Sequence, residues 1–189
     1  MVNLPAALHR YQYADYVALE EHNPARHEFV AGEIYAMAGG TPRHAALAAV
    51  VSFLIRGQLP AGCRTYSSDL RIRVDTADAT VYPDGSVVRG KPVTAVGDAL
   101  AVVNPTLVFE VTSDSTETWD RGGKRLLYES LPSVHEILLV AHREPRIEVW
   151  RRAANGEWIT DSAITGQSLR LESCQALLTV DAIYADLGD

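Results

Sequence analysis

The alternation of apolar and polar positions divides this chain into readable segments. Residues 11–21 carry helical spacing and predict a short amphipathic helix. His27-Glu28-Phe29-Val30, the pair Ala31-Gly32, and Glu33-Ile34-Tyr35-Ala36-Met37 predict a hairpin. Thr41-Pro42 supplies an N-cap and a proline at the first helical position, opening a helix to about Leu59. Within it Leu47, Val50, Val51, Leu54 and Ile55 recur at helical spacing, and many alanines permit close approach to a sheet. Strands are expected at 64–74, 80–88 and 106–112. In the first, Leu70, Ile72 and Val74 alternate with Arg71 and Arg73, predicting one buried and one basic face. The third contains Leu107-Val108-Phe109-Glu110-Val111, apolar on both faces, and reads as a central strand. Ser113-Asp114-Ser115-Thr116 is a run of N-cap candidates before a helix over 117–130, which Leu131-Pro132 stops. Strands at 137–141, 147–151 and 158–160 follow, with Asn155-Gly156 as the last turn, and a short helix near 180–187 ends the chain. The order predicts a mixed α/β (α+β) domain with a central mixed sheet flanked by helices and extra antiparallel edge strands.

Length and composition narrow this further. A chain of 189 residues, 47% hydrophobic and 22% charged, is most economically one domain, 1–189. Within it, 1–40 would hold a helix and hairpin, 41–141 the core, and 142–189 the C-terminal strands and helix. Cys63 and Cys174 lie far apart without CxxC spacing, which points to reduced thiols in a cytoplasmic protein and to no zinc site. No basic region followed by an apolar stretch opens the chain, so no signal peptide is expected. The longest mostly apolar run, 45–55, is too short to span a bilayer and is interrupted by Ser52.

Net charge is −7, unfavourable for approach to nucleic acid. Its distribution weakens that objection. Residues 61–152 carry twelve Lys and Arg against thirteen acids, whereas the last 37 residues carry one Arg against six.

Two carboxylates stand out against this background. Asp84, in Tyr82-Pro83-Asp84, and Glu110 close two expected strands, and Lys124 follows on the next helix. A carboxylate in an apolar run is costly unless it meets a metal, a cation or water. Two acids on adjacent strand ends with an ammonium nearby can hold a hard divalent cation against a phosphodiester. Other readings of the same residues are open. Tyr-Pro-Asp-Gly-Ser is a good turn sequence. Glu110 could pair with Arg71 or Arg73 as a buried acid, and Lys124 could pair with Asp120 on the helix surface.

The ordered set of motifs is more specific than any one of them. It runs through Ala31-Gly32-Glu33-Ile34-Tyr35 with Met37-Ala38, then Pro42-Arg43-His44, Ser68-Asp69-Leu70-Arg71-Ile72-Arg73-Val74 and Tyr82-Pro83-Asp84. It continues with Glu110-Val111-Thr112-Ser113, Ser115-Thr116, Asp120-Arg121-Gly122-Gly123-Lys124, Tyr128 and Leu131-Pro132-Ser133. In this the chain resembles the bacterial restriction-endonuclease family of the Uma-two type, within the PD-(D/E)XK nuclease superfamily. The resemblance implies a nuclease core cutting nucleic acid, DNA in the first instance, with Asp84 and Glu110 binding Mg2+ (Mn2+ as a substitute). The Val111 carbonyl would be a further ligand. The superfamily's lysine two residues after the acid is Thr112 here, and the resemblance places it instead at Lys124. Gly85 replaces a β-branched residue and predicts a looser strand beside Asp84.

Other positions rank below these. Asp69 could be a third acid or a strand-start cap; Glu33 could approach the metal or be an exposed strand residue; His44 could transfer a proton or simply cap the helix. Arg71, Arg73, Arg121 and Arg125 could contact phosphates, or be surface charges. A homodimer is expected by analogy, because two cuts need two sites. The alternative reading is a catalytically silent nuclease-fold module for nucleic-acid or protein interaction. A small-molecule hydrolase ranks last, since no GxSxG-type nucleophile is present.

Overall fold

The computed structural model describes residues 10–37 and 39–185. The residues Ala38, 186 and 187, which the motif and the terminal helix include, lie outside that range. The helix α1 (Tyr13–His22) leads into the hairpin β1 (His27–Val30) and β2 (Glu33–Ala36), then α2 (Pro42–Arg56). Thr41 caps α2, its side chain accepting from the His44 N–H, with Pro42 in the first turn where no N–H is needed.

Two of the expected strands each split in two. Residues 64–74 form β3 (Cys63–Ser67) and β4 (Arg71–Val74), separated by a turn in which the Leu70 N–H donates to the Ser67 carbonyl. Residues 80–88 form β5 (Ala79–Val81) and β6 (Gly85–Arg89), interrupted at Tyr82-Pro83-Asp84. Pro83 has no N–H for a ladder, and the chain uses the interruption to change sheets. After β6 come β7 (Thr94–Ala95), β8 (Asp98–Val102) and β9 (Leu107–Val111). The helical stretch is α3 (Glu117–Trp119), a π-helical turn Asp120–Lys124, and α4 (Arg125–Glu129). The rest is β10 (Glu136–Val140), β11 (Arg146–Arg152), β12 (Trp158–Ile164), β13 (Ser168–Leu171), β14 (Ala176–Thr179) and α5 (Val180–Tyr184).

The architecture is mixed α+β, as expected, and its strands form two mixed six-stranded sheets. The first sheet has the order β2-β1-β5-β4-β8-β7 and the second β12-β11-β10-β9-β6-β3, with β13 and β14 as a separate pair. The chain passes between the sheets at 68–70 and again at 82–84. Strand β9 is central, parallel to β10 and antiparallel to β6, and all five of its residues are buried.

Period-two alternation on β9 decides what each residue meets. Leu107, Phe109 and Val111 pack with Leu47, Val51 and Ile55 of α2 in one core. Val108 packs with Leu127, Tyr128 and Ile137 in the other, so Glu110 is turned toward the 117–129 helical segment. Gly85 pairs with Phe109, and a Cβ there would lie 2.3 Å from the Phe109 ring. The ring fills the place of the missing side chain, so Gly85 does not leave a loose strand. No helix among the described residues is long and apolar enough to cross a membrane.

Candidate metal centre

The crossover at 82–84 places Asp84 one residue before β6, just beyond the Gly85–Phe109 pair and therefore beside Glu110. The two acids are cross-linked through backbone donors. The Asp84 N–H donates to Glu110 Oε2 at 3.3 Å, and the Val111 N–H donates to Asp84 Oδ2 at 2.7 Å. Tyr128 donates its hydroxyl to Glu110 Oε1 at 2.6 Å. Lys124 Nζ lies 3.1 Å from the same oxygen and 3.0 Å from Glu28 Oε1, donates to the Tyr82 carbonyl at 3.1 Å, and stands 3.9 Å from Asp120.

Local helix geometry delivers these groups. Asp120, Lys124 and Tyr128 recur every four residues and share one face, turned to the sheet. The stretch from Asp120 to Lys124 is π-helical, a deviation frequent where side chains must be re-aimed at a site. Gly123 is required by Trp119: a Cβ at 123 would fall 1.8 Å from the indole ring. The indole folds back over this glycine and donates to Glu28 Oε2 at 3.3 Å, while the Tyr82 N–H donates to Glu28 Oε1 at 3.1 Å.

The charges do not balance. Glu28, Glu110 and Asp120 gather around one ammonium, with Asp84 bonded beside Glu110. Burial pushes the Glu110 pKa well up; Lys124 draws it back, and Asp84 and Asp120 add to the rise. Burial raises Asp120 as well, against the pull of Lys124. Burial works against the charge on Lys124, but Glu110, Glu28 and Asp120 outweigh it and hold the ammonium protonated.

His44, in the first turn of α2, completes the group. Its Nε2 is 3.1 Å from Asp84 Oδ2, and that hydrogen bond raises its pKa against the opposing effect of burial. A backbone hydrogen bond with Val111 pushes the same way, as a carbonyl accepting from the ring does. The Asp84 carboxylate and the Val111 carbonyl thus converge on one proton donor, beside Glu110. That donor set fits a hard divalent cation: two carboxylates and a carbonyl, all oxygen, in a site with surplus negative charge. Among the described residues no three His, Cys, Asp or Glu side chains form a metal-holding group.

The remaining expected residues fall elsewhere. Asp69 is exposed and paired with Arg26, and Glu33 is exposed and accepts from the Tyr35 hydroxyl; neither reaches the acids. Arg71 and Arg73 are not offered to phosphates, and β4 has no basic outer face. All of β4 is buried beneath α1, where Arg71 bonds Asp98 at 2.7 and 2.9 Å and the Arg73 guanidinium lies 3.8 Å from the Tyr13 ring centroid. Arg121 is engaged by Glu117 and Glu148, and Arg125 by Glu129 and the Trp150 ring, and neither lines the cleft. Glu110 pairs with Lys124, not with an arginine. Thr112, in place of the usual lysine, is buried against His142, 3.2 Å from Nδ1.

Glu28, Asp120, Trp119 and Tyr128 belong to the site although none ranked among the candidates. The four-residue spacing of 120, 124 and 128 was a usable signal for two of them. Glu28 carried none, because its partners come from segments more than fifty residues away. The acids and Lys124 lie on a cleft of about 970 Å³, lined also by Arg26, Tyr35, Ala48, Ser52 and Trp119.

Comparisons with known proteins bear on this geometry. An uncharacterized protein of Synechocystis sp. is 33% identical over 178 residues, covering 92% of this chain and 91% of its own. A second uncharacterized Synechocystis protein is 30% identical over 162 residues, covering 84% and 90%. A crystal structure from Anabaena variabilis, titled as a putative nuclease belonging to DUF820, superposes with a TM-score of 0.73 at 15% identity. It covers 92% of this chain and 99% of that one, and shares the fold. Residues 13–182 match the family described as "Uma2: Putative restriction endonuclease", and the chain belongs to that family.

Proposed function

We propose that this protein is a divalent-metal-dependent endonuclease that hydrolyses phosphodiester bonds in nucleic acid, with DNA as its substrate. The observation that carries the reading is the meeting of Asp84 and Glu110 with the buried Lys124 at the floor of an open cleft. Asp84, Glu110 and the Val111 carbonyl are the ligands, Mg2+ is the ion and Mn2+ its substitute. Bound there, the ion supplies charge neutralisation at the phosphate and a lowered pKa for the attacking water.

The chain's own groups do the rest. Tyr128 and the Asp84 N–H each bond one oxygen of Glu110 and fix its carboxylate. Lys124, held protonated by three acids, opposes the negative charge that builds on the phosphate. His44 borders the cleft with its Nε2 3.1 Å from Asp84 Oδ2, and proton transfer to the leaving oxygen is assigned to it. Family membership supports the same reading. A homodimer, in the cytoplasm, is part of the proposal; light scattering giving a clean monomer would reject the dimer.

The test is cleavage of a panel of DNA and RNA forms with Mg2+ or Mn2+. Asp84→Ala and Glu110→Ala should abolish cutting and leave the circular dichroism spectrum intact. Equal metal-dependent cleavage by wild type and both variants would sink the reading. Calorimetric Mn2+ binding lost on Asp84→Ala separates an enzyme from a silent module of the same fold, which has no use for the ion.

A further inference from the structure

The cleft is poor in cations and rich in exposed ring faces. Tyr35 is 50% exposed and Trp119 36%, and both line it. Each ring is held in place: the Tyr35 hydroxyl donates to Glu33, and the Trp119 indole lies on Gly123 and donates to Glu28. On another wall α2 presents Ala45, Ala48 and Ser52, small enough to let a sugar-phosphate backbone approach. Among the described residues Arg26 is the sole arginine lining the cleft, and the one lysine, Lys124, is buried. Arg26 and Tyr82 also line an adjoining cavity of about 400 Å³ walled by Tyr66 and Leu100. The two hollows therefore meet at Arg26.

Duplex binding draws its affinity from many Lys and Arg contacts to phosphate. One half-exposed arginine, already paired with Asp69, supplies little of that. An unpaired strand has a further source of affinity that a duplex lacks, because its bases can stack on aromatic faces. We propose that the cleft takes a single strand of nucleic acid, with bases beside the scissile phosphate stacked on Tyr35 and Trp119. The strand continues past Arg26 and places a further base in the Tyr66–Leu100 cavity. This rests on the nuclease reading for the position of the scissile phosphate, and it sharpens the substrate to unpaired segments.

Fluorescence anisotropy in EDTA, which removes cleavage, tests it with a labelled DNA strand and the same strand annealed to its complement. The strand should bind at least tenfold more tightly than the duplex, and Tyr35→Leu and Tyr66→Leu should each weaken it by about tenfold, the loss of one stacked base. Logarithmic affinity should fall with logarithmic salt at a slope of only about one, the mark of few phosphate contacts. Duplex binding as tight as that of the strand, or strand affinity unchanged in both leucine variants, would overturn the inference. Failure here is distinguishable from failure of the nuclease reading. Cutting of a duplex with Mn2+ by a protein that does not hold the strand removes this inference alone. Strand binding with the expected losses, but no cutting, upholds it and removes the other.

Discussion

Asp98 and Glu110 are equally shielded from solvent, each 3% exposed, yet their pKa values move in opposite directions. Burial pushes both upward. At Asp98 it is overcome by the Arg71 guanidinium, which bonds both carboxylate oxygens, with the Tyr13 hydroxyl and the Leu100 N–H adding further bonds. At Glu110 one ammonium is shared with Glu28 and Asp120, and Asp84 adds repulsion. Solvent exposure alone therefore does not separate a paired structural acid from a candidate metal ligand. Charge balance does: Arg71 bonds both oxygens of Asp98 and meets one further acid, Glu20, whereas Lys124 alone faces Glu28, Glu110 and Asp120.

The largest expected effect tests the Arg71–Asp98 pair. Arg71→Met should destabilise the protein by about 3–5 kcal/mol, because it leaves Asp98 charged and unpaired in the interior. Urea unfolding measures it, and added Mn2+ should restore none of the loss. Recovery with Mn2+ would mean that the Asp98 region, too, is a cation site. Next comes turnover. Glu110→Gln should lower metal-dependent cleavage by about a hundredfold or more, the scale for losing one preorganised charge-stabilising group. Asp98→Asn, equally shielded from solvent, should leave the turnover of the folded fraction near wild type. Similar losses in the two variants would erase the distinction drawn between the regions.

Stability in EDTA should separate the same two variants by sign. Asp98→Asn gives up charge-assisted bonds to Arg71 and should cost about 1.5–3 kcal/mol. Glu110→Gln keeps an acceptor for Tyr128 and removes one member of a repelling cluster, so it should be neutral or stabilising. A thermal melt of each suffices; destabilisation of Glu110→Gln comparable with that of Asp98→Asn would show that Lys124 balances its acids after all.

The sequence carried some of this more clearly than the rest. Strand β9 was legible because a strand buried on both faces is a continuous apolar run, and that run made Glu110 conspicuous. Asp84 was ambiguous by chemistry alone, since Pro-Asp-Gly serves a turn as well as a strand. The structure uses both properties, breaking β5 from β6 at Pro83 and resuming at Gly85 under the Phe109 ring. The alternation at Arg71 and Arg73 pointed to an exposed basic face, but α1 covers that face and the acids Asp98 and Glu20 meet Arg71 there. Local periodicity cannot anticipate a helix packed from another part of the chain. The short strands β7 and β8 are not legible in the sequence, because Thr94, Ala99 and Leu100 are exposed and show no clean alternation.

The smallest effect is the pH dependence of stability without metal, and it should have two slopes of different origin. Asp98 has a folded pKa below its ordinary value. Its contribution is present above the ordinary carboxylate range and is lost as pH falls through the folded value. Glu110 and Asp120 have folded pKa values above theirs. The folded state then holds protons that the unfolded chain has released, so stability declines as pH rises from the ordinary carboxylate range through the raised values. Urea titrations across pH in EDTA should give a maximum, with Asp98→Asn flattening the acid side and Glu110→Gln part of the other. Mn2+ competes for the deprotonated carboxylates, so its stabilisation should grow with pH and should be lost in Glu110→Gln. Mn2+ stabilisation that is independent of pH, or that survives in Glu110→Gln, would place the bound ion somewhere other than between Asp84 and Glu110.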